Sequence, residues 1–320
     1  MKKTRLALFT LLLLAVLATG CSSNSIPKIG ISQYGEHASL DNCREGFIQG
    51  LVEAGLSEGE DFTIDYQNAG FDNAINTQIA QTFASNNVDL MVGIATPSAT
   101  ALYAATEGKD IPVVFTAITD PVQAKLDSGN VTGTSDKLPV GAQLELIRQM
   151  QPDAKTIGII YTTSEPNSIS AIEEYQAKAP EYGFTIEAIG VTQQSEVTLA
   201  ADTLIAHNVD AFSNLTDNNV VGVLPAILDK TTAASIPIYG SEIEQVKIGC
   251  VAAAGIDYYQ LGIQTGAMAA KILTNQAKAT DLPYETIQEY SIYTNTQALE
   301  ELGMVLPSSI EEKAVPVQLN

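Results

Sequence analysis

Residues 156–163 read TIGIIYTT, and Lys28–Gln33 reads KIGISQ. Each is a short run of β-branched and small residues that closes on polar side chains, the composition of a buried strand. Each is also the first of four. Residues 62–69 (FTIDYQNA), 88–95 (VDLMVGIA) and 111–118 (IPVVFTAI) follow the earlier run. Residues 184–191 (FTIEAIGV), 209–216 (VDAFSNLT) and 236–243 (IPIYGSEI) follow the later one. Counted from Ile29, Phe62, Val88 and Ile111, the partners lie 128, 122, 121 and 125 residues further on. Such nearly constant offsets mark two copies of one unit, well beyond a solenoid repeat of roughly 20–50 residues.

Helical periodicity fills the gaps. Residues 40–54 place Phe47, Leu51 and Ala54 on one face, and Asn73–Ser85 does the same with Ile75, Ile79 and Phe83. Residues 142–150, 168–182 and 195–207 are comparable. Strands alternating with helices build parallel sheets covered on both faces. The expected fold class is α/β, with two doubly wound parallel-sheet lobes joined by a hinge. The repeat stops after Val251. A strand over residues 249–256, a strong helix at Tyr258–Leu273, a strand at 289–294 and a short helix at 296–302 complete the chain. The expected division is 28–134 plus 252–282 for the N-terminal lobe, and 135–251 plus 283–320 for the C-terminal lobe.

The first twenty residues read as an address. Lys2, Lys3 and Arg5 precede an apolar run over residues 6–18, and small residues stand before Cys21. That is the layout of a secretory signal, with an apolar run shorter than the ~20 residues of a membrane span. Residues 17–21 (LATGC) resemble a bacterial lipobox, which implies that Cys21 carries a lipid, that residues 1–20 are a signal peptide, and that 21–27 form a lipidated Cys and tether. The expected location is extracytoplasmic, lipid-anchored to the bacterial cell membrane or an outer membrane. Cys43 and Cys250 remain. A disulfide between them is permitted in that compartment, but nothing local supports it, and they read as buried thiols.

Sixteen Lys and Arg against 37 Asp and Glu give a net charge of −21. Loss of the three leader cations moves it to −24. Such a chain repels phosphate backbones, so nucleic acid is not an expected partner. No Cys or His pair has a zinc spacing, and neither a GxxxxGK[ST] loop nor a strand-following GxGxxG is present. His37 and His207 are the two histidines, and no nucleophile in a GxSxG-type context accompanies either. The reading is therefore not an enzyme, with no catalytic residue, no metal and no cofactor.

Ligands of open parallel sheets bind beyond the carboxyl ends of the strands. There this sequence is polar. Thr96 is placed to cap a helix with Pro97 in its first turn, and the free N–H groups near Ser98 and Ala99 would suit an anion such as a carboxylate. Thr116, Thr119 and Asp120 end the next strand. Ser164, Glu165 and Asn167, then Thr216, Asp217, Asn218 and Asn219, then Ser241 and Glu242, end strands of the second unit. One lobe offers hydroxyls and helix N-termini, and the other carboxylates and amides, a division suited to a zwitterion. Any one acid alone also reads as a solvated cap or turn.

In combination these stretches resemble a known family. KIGISQ with Glu36 and His37, IATPSA at 94–99, IPVVFTAITDPV at 111–122, NVTGTSD at 130–136, residues 164–168, TDN at 216–218 and YYQLGIQTGAMAAKIL at Tyr258–Leu273 are similar to ABC-transporter substrate-binding proteins of the type I periplasmic-binding fold. The resemblance covers the mature chain and extends to the branch that binds tryptophan, tyrosine or phenylalanine. It implies capture of an amino acid-like ligand by hinge closure and delivery to ABC permease and ATPase subunits. Carried onto this sequence, Thr96, Ser98 and Thr116 would hold a carboxylate, while Asp136, Asp217 and Glu242 would face an ammonium. Gln33, Glu36, His37, Glu165 and Asn167 would line the cleft. Tyr34, Phe115, Tyr161 and Tyr239 lie near strand ends and could stack on an aromatic ring. A binding protein for another small metabolite, and a sensory receptor feeding a membrane kinase, are the alternative readings.

Overall fold

A computed structural model describes residues 26–287 and 289–317. The leader and Cys21 lie outside the described residues. Within them, β1 (Lys28–Gln33) leads to α1 (Ala38–Glu53), β2 (Thr63–Asn68) to α2 (Asn73–Ser85), and β3 (Leu90–Ile94) to α3 (Thr96–Ala105). Strands β4 (Val113–Ile118) and β5 (Val131–Ser135) complete the first unit. The second unit runs through α4 (Val140–Met150), β6 (Thr156–Thr162), α5 (Pro166–Lys178), β7 (Thr185–Val191), α6 (Val197–Ala206) and β8 (Ala211–Ser213). It continues with α7 (Asn218–Val221), α8 (Leu224–Ala233), β9 (Ile238–Gly240), α9 (Ile243–Lys247) and β10 (Ala252–Gly255). The chain then forms α10 (Tyr258–Leu273), β11 (Glu285–Thr286), β12 (Ser291–Asn295), α11 (Thr296–Glu301), α12 (Ser308–Glu311) and β13 (Ala314–Val317).

The duplication is visible in the sheets. The first sheet is ordered β11-β5-β4-β3-β1-β2 and the second β13-β12-β10-β9-β8-β6-β7. With the added edge strands set aside, both follow one order, in which the second, first, third, fourth and fifth strands of each unit lie side by side. Pairing is parallel except between β10 and β12. The central runs, such as β3 and β4, are buried on both faces, as helix-covered parallel strands must be, while the edge strands β2 and β7 are mostly half-buried. In β6, Ile157 and Ile159 join one apolar cluster with Leu144 and Tyr175, while Ile160 joins another with Leu204 and Phe212.

The expected lobe boundaries need two corrections. Strand β10, expected in the first lobe, belongs to the second: Ala252 and Ala253 pair with Tyr239 and Gly240 of β9. Strand β11, expected in the second lobe, pairs with Thr134 and Ser135 of β5 in the first. A buried apolar strand carries no mark of which sheet it will join. The duplication followed one strand further does mark it, because β10 stands in the second unit where β5 stands in the first. The chain therefore crosses between lobes after β5, after β10 and after β11.

Helix α10 returns to the first lobe and lies directly on α1. A Cβ added at Gly46 would meet the Tyr259 carbonyl oxygen at 2.1 Å, and one at Gly266 would meet that of Phe47 at 2.2 Å. The pairing is parallel along both helices, so their N-termini, at His37 and Asp257, face the same end of the lobe. Cys43 and Cys250 are buried free thiols, and burial pushes both thiols up. Among the described residues, no helix is long and apolar enough to cross a membrane.

Candidate ligand-binding site

The carboxyl ends of both sheets meet at an interlobe cleft, and the cleft is closed. His37 Nε2 lies 3.5 Å from Asn218 Oδ1. The Ser39 hydroxyl donates to Glu242 Oε1 at 3.1 Å. Thr119 Oγ1 and Thr216 Oγ1 share a hydrogen bond at 3.3 Å, and the Ser170 hydroxyl donates to Asp120 Oδ2 at 3.1 Å. Each contact joins one lobe to the other.

Between the lobes lies a narrow pocket. The first lobe supplies His37, Ser39, Leu40, Ala117, Asp136 and Tyr258. The second supplies Asn167, Thr216, Asn218, Val221, Glu242 and Gln245. Among the described residues no Lys or Arg lines it. Local backbone explains who faces inward. The β4–β5 register shifts between Phe115 and Ile118, and Ala117 takes a left-handed φ of 60°. This bulge re-aims the strand end. Ala117 reaches the cavity, while the Thr116 hydroxyl is buried beside Cys43 Sγ at 3.1 Å and accepts from Thr134 at 3.2 Å.

Four ionisable groups in the lining are shifted by burial, among them the Tyr258 hydroxyl, which is pushed well up. Asp136 accepts from the Thr119 hydroxyl at 3.0 Å and from the Tyr258 hydroxyl, and burial outweighs both bonds and pushes its carboxyl up. Glu242 caps α9, accepting from the N–H groups of Glu244 at 2.7 Å and Gln245 at 3.0 Å. Burial still pushes it up to about 7. His37 opens α1 without capping it, and burial lowers its imidazole to about 4, so the ring is neutral near pH 7. Two buried side-chain atoms in the lining, His37 Nδ1 and Asn167 Oδ1, have no hydrogen-bond partner. A buried polar atom without a partner is costly, and in a cleft it points to a group that supplies the missing bond.

Of the residues expected at the site, His37, Asp136, Asn167 and Glu242 come together around this cavity. The strand-end residues Thr216 and Asn218 join them, and the others lie outside the lining. Glu165 sits behind it, its two oxygens taken by the amides of Asn167, Asn218 and Asn219. Burial and the Asp217 carboxylate push Glu165 up to about 8. The expectation that Asp217 faces an ammonium is corrected. Its oxygens accept from Thr162 N–H, the Thr162 and Ser168 hydroxyls and Val220 N–H, so it ties β6, α5 and α7 together within the second lobe. Thr96 does not cap α3: Ala95 holds the cap position at φ 79°, and Thr96 Oγ1 is buried unpartnered. The Ser98 hydroxyl donates to Asn76 Oδ1 at 2.9 Å. Gln33 donates to Gly35 O and Asp41 and accepts from Arg44. Glu36 is exposed. None of the four aromatic side chains expected to stack lines the cavity. Tyr34 and Tyr239 point their hydroxyls elsewhere, to Phe71 O with Asn73 and to Gln151, and Phe115 is core. Tyr258 lines the cavity instead. Sequence reasoning did not assign Ser39, Leu40, Ala117, Val221, Gln245 or Tyr258. Ala117 is the penultimate residue of β4 and the others follow a strand end by three to eight residues, and that position is the signal the sequence carries.

The geometry is that of a receptor that closes on a small solute, and comparison with known proteins agrees. A model of the family described as ABC transporter substrate binding protein matches residues 28–318. The chain belongs to the ABC transporter substrate-binding proteins. Their function is solute capture outside the cytoplasm for an importer, not catalysis. A tyrosine-binding protein of Clostridioides difficile is 38% identical over 309 residues, 90% of this chain and 88% of that one. A Streptococcus pneumoniae ABC domain solved in complex with L-Trp superposes with a TM-score of 0.87 at 35% identity, over 92% of this chain and all of that one. A ligand-free, open substrate-binding protein with adhesive properties from Clostridium difficile, at 39% identity and the same coverage, reaches only 0.68. Sequence divergence does not explain that gap. This binding protein has the shape of the complexed relative, in keeping with the four hydrogen bonds across its cleft. The fold is the type I periplasmic-binding fold.

Proposed function

We propose that this binding protein captures an aromatic L-amino acid in the interlobe cleft and delivers it to ABC permease and ATPase subunits. The observation that carries the reading is the lining: Asp136 and Glu242 are buried and, among the described residues, have no cation beside them, so the ligand itself supplies the positive charge. The α-ammonium of an amino acid does so. The carboxylate is assigned to the open N-terminus of α1, where the N–H groups of Ala38, Ser39 and Leu40 have no intrahelical acceptor. Leu40, Ala117, Val221 and Tyr258 give the side chain an apolar wall with one aromatic face. The two relatives associated with tyrosine and L-Trp support an aromatic side chain. Cys21 is assigned as the lipidated first residue of the mature chain, tethered by residues 21–27.

A thermal-shift screen against the twenty amino acids tests the ligand, after any bound solute has been removed by unfolding and refolding. A ligand at 100 times its Kd stabilises by ~2.7 kcal/mol, which is readily seen. Shifts confined to tyrosine, tryptophan or phenylalanine are expected. No shift with any of the three sinks the aromatic assignment.

A further inference from the structure

Glu165 is a buried carboxyl group with no Lys or Arg against it among the described residues, and it lies outside the cavity lining. Its partners explain what it does. Oε2 accepts from Asn167 Nδ2 at 3.0 Å and from Asn218 Nδ2 at 2.6 Å, and Oε1 accepts from Asn219 Nδ2 at 2.9 Å. The backbone N–H groups of Asn218 and Asn219 donate to Oε2 and Oε1 as well, so every group against Glu165 is a donor, and the NH₂ group of each amide is turned toward it and the carbonyl oxygen away. For Asn167, whose Nδ2 also donates to Thr216 O at 3.0 Å, this leaves Oδ1 buried, unpartnered and in the cavity lining. Asn167 itself is only 4% exposed. For Asn218, it leaves Oδ1 facing His37 Nε2 across the cleft. An oxygen there makes Nε2 the protonated nitrogen. Because the ring is neutral, Nδ1 is then a bare lone pair, and it too is buried and unpartnered.

We propose that Glu165 is a positioning residue whose hold on Asn167 and Asn218 makes the closed cleft present two unpaired acceptors, Asn167 Oδ1 and His37 Nδ1, which select a ligand by its N–H donors. Resting on the reading of an amino acid ligand, the group selected is the ammonium: Asp136 and Glu242 supply the field that draws it in, and the two neutral acceptors set its direction. The arrangement also links recognition to closure, since the Nδ1 acceptor exists in this form only while Asn218 faces His37 from the other lobe.

The test is calorimetric titration of the wild-type protein, Glu165→Gln and Asn167→Ala with L-tyrosine and with its des-amino analogue, 3-(4-hydroxyphenyl)propanoate. A site that must satisfy buried acceptors rejects the analogue lacking the donor. The wild type is expected to favour tyrosine by about a hundredfold or more, and both variants to shrink that ratio at least tenfold. A purely structural role would weaken both ligands alike and leave the ratio unchanged, and that result overturns the proposal. Asn167→Ala keeps the question open to test if Glu165→Gln does not fold. If the wild type takes no aromatic amino acid, the functional reading falls separately. The acceptor assignment is then decided on whichever solute the twenty-member panel and its des-amino counterparts yield, and tight binding of a ligand that brings no N–H donor overturns it.

Discussion

Glu242 is a carboxylate asked to do two jobs. It caps α9 through two backbone N–H groups, and it carries negative charge into a cavity that water leaves on closure. The first job favours ionisation and the second opposes it, and burial wins, with the carboxyl raised from 4.5 to about 7. Two pH effects of opposite sign follow. Without ligand, the folded chain holds a proton between about 4.5 and 7 that the unfolded chain has lost, so stability rises as pH falls across that window and is lost as pH rises through 7. Ligand affinity runs the other way, because an ammonium needs the ionised carboxylate. Affinity should fall by up to about tenfold per pH unit below 7, with proton release on binding measured by calorimetry in two buffers of different ionisation enthalpy. Glu242→Gln should flatten that slope. An unchanged slope would remove Glu242 from the ammonium's surroundings. The residue types at this site were readable in the sequence, but their partners were not. Asp217 and Glu242 both follow strands of the second unit, and only the packing shows that Thr162, Ser168 and Val220 take all of one while the other reaches the cavity.

The pairing of α1 with α10 decides how firmly the cleft is built. Both helices carry two glycines four residues apart, Gly46 and Gly50 in α1 and Gly262 and Gly266 in α10. Each of the four would place a Cβ within 2.1–2.3 Å of a carbonyl oxygen on the facing helix. In an exposed helix interior, replacing Gly by Ala gains roughly 1 kcal/mol. Here the sign should reverse, since backbone cannot yield as a side-chain tip can. Gly266→Ala is expected to destabilise by about 1–3 kcal/mol, read from the urea midpoint. A gain in stability would contradict the close approach. The consequence reaches the site, because α1 begins at His37 and α10 at Asp257, so helices forced apart would shift Ser39 against Glu242. Periodicity placed these helices nearly as they are, with α10 and α2 matching residue for residue. It said nothing of their partnership, because a buried face looks the same whichever neighbour covers it.

At the scale of the whole molecule, three chain crossings and four cross-cleft hydrogen bonds describe a hinged protein in its closed form. The hydrogen bonds across the cleft leave only a narrow pocket between the lobes, so a solute has to enter before they form, and closure is expected to follow binding. Small-angle scattering should show a ligand-free protein larger than the roughly 19 Å radius of gyration expected for a compact chain of this length, shrinking toward it when ligand is added. A radius indifferent to ligand would exclude hinge closure as the binding step.

The sequence by itself determined two α/β units of common strand order, the alternation that makes their sheets parallel, and the placing of ligand chemistry at the strand ends. These follow from period and composition, which act locally and were repeated in the chain. Tertiary structure alone decided that β11 joins the first sheet. It also decided that Asp217 is bound up inside one lobe, and that Tyr258 rather than Tyr34 or Tyr239 faces the cavity. The reason is the same in each case. A side chain's hydrogen-bond capacity and a strand's two edges are finite, and which neighbour uses them up is settled only when residues far apart in the chain are packed together.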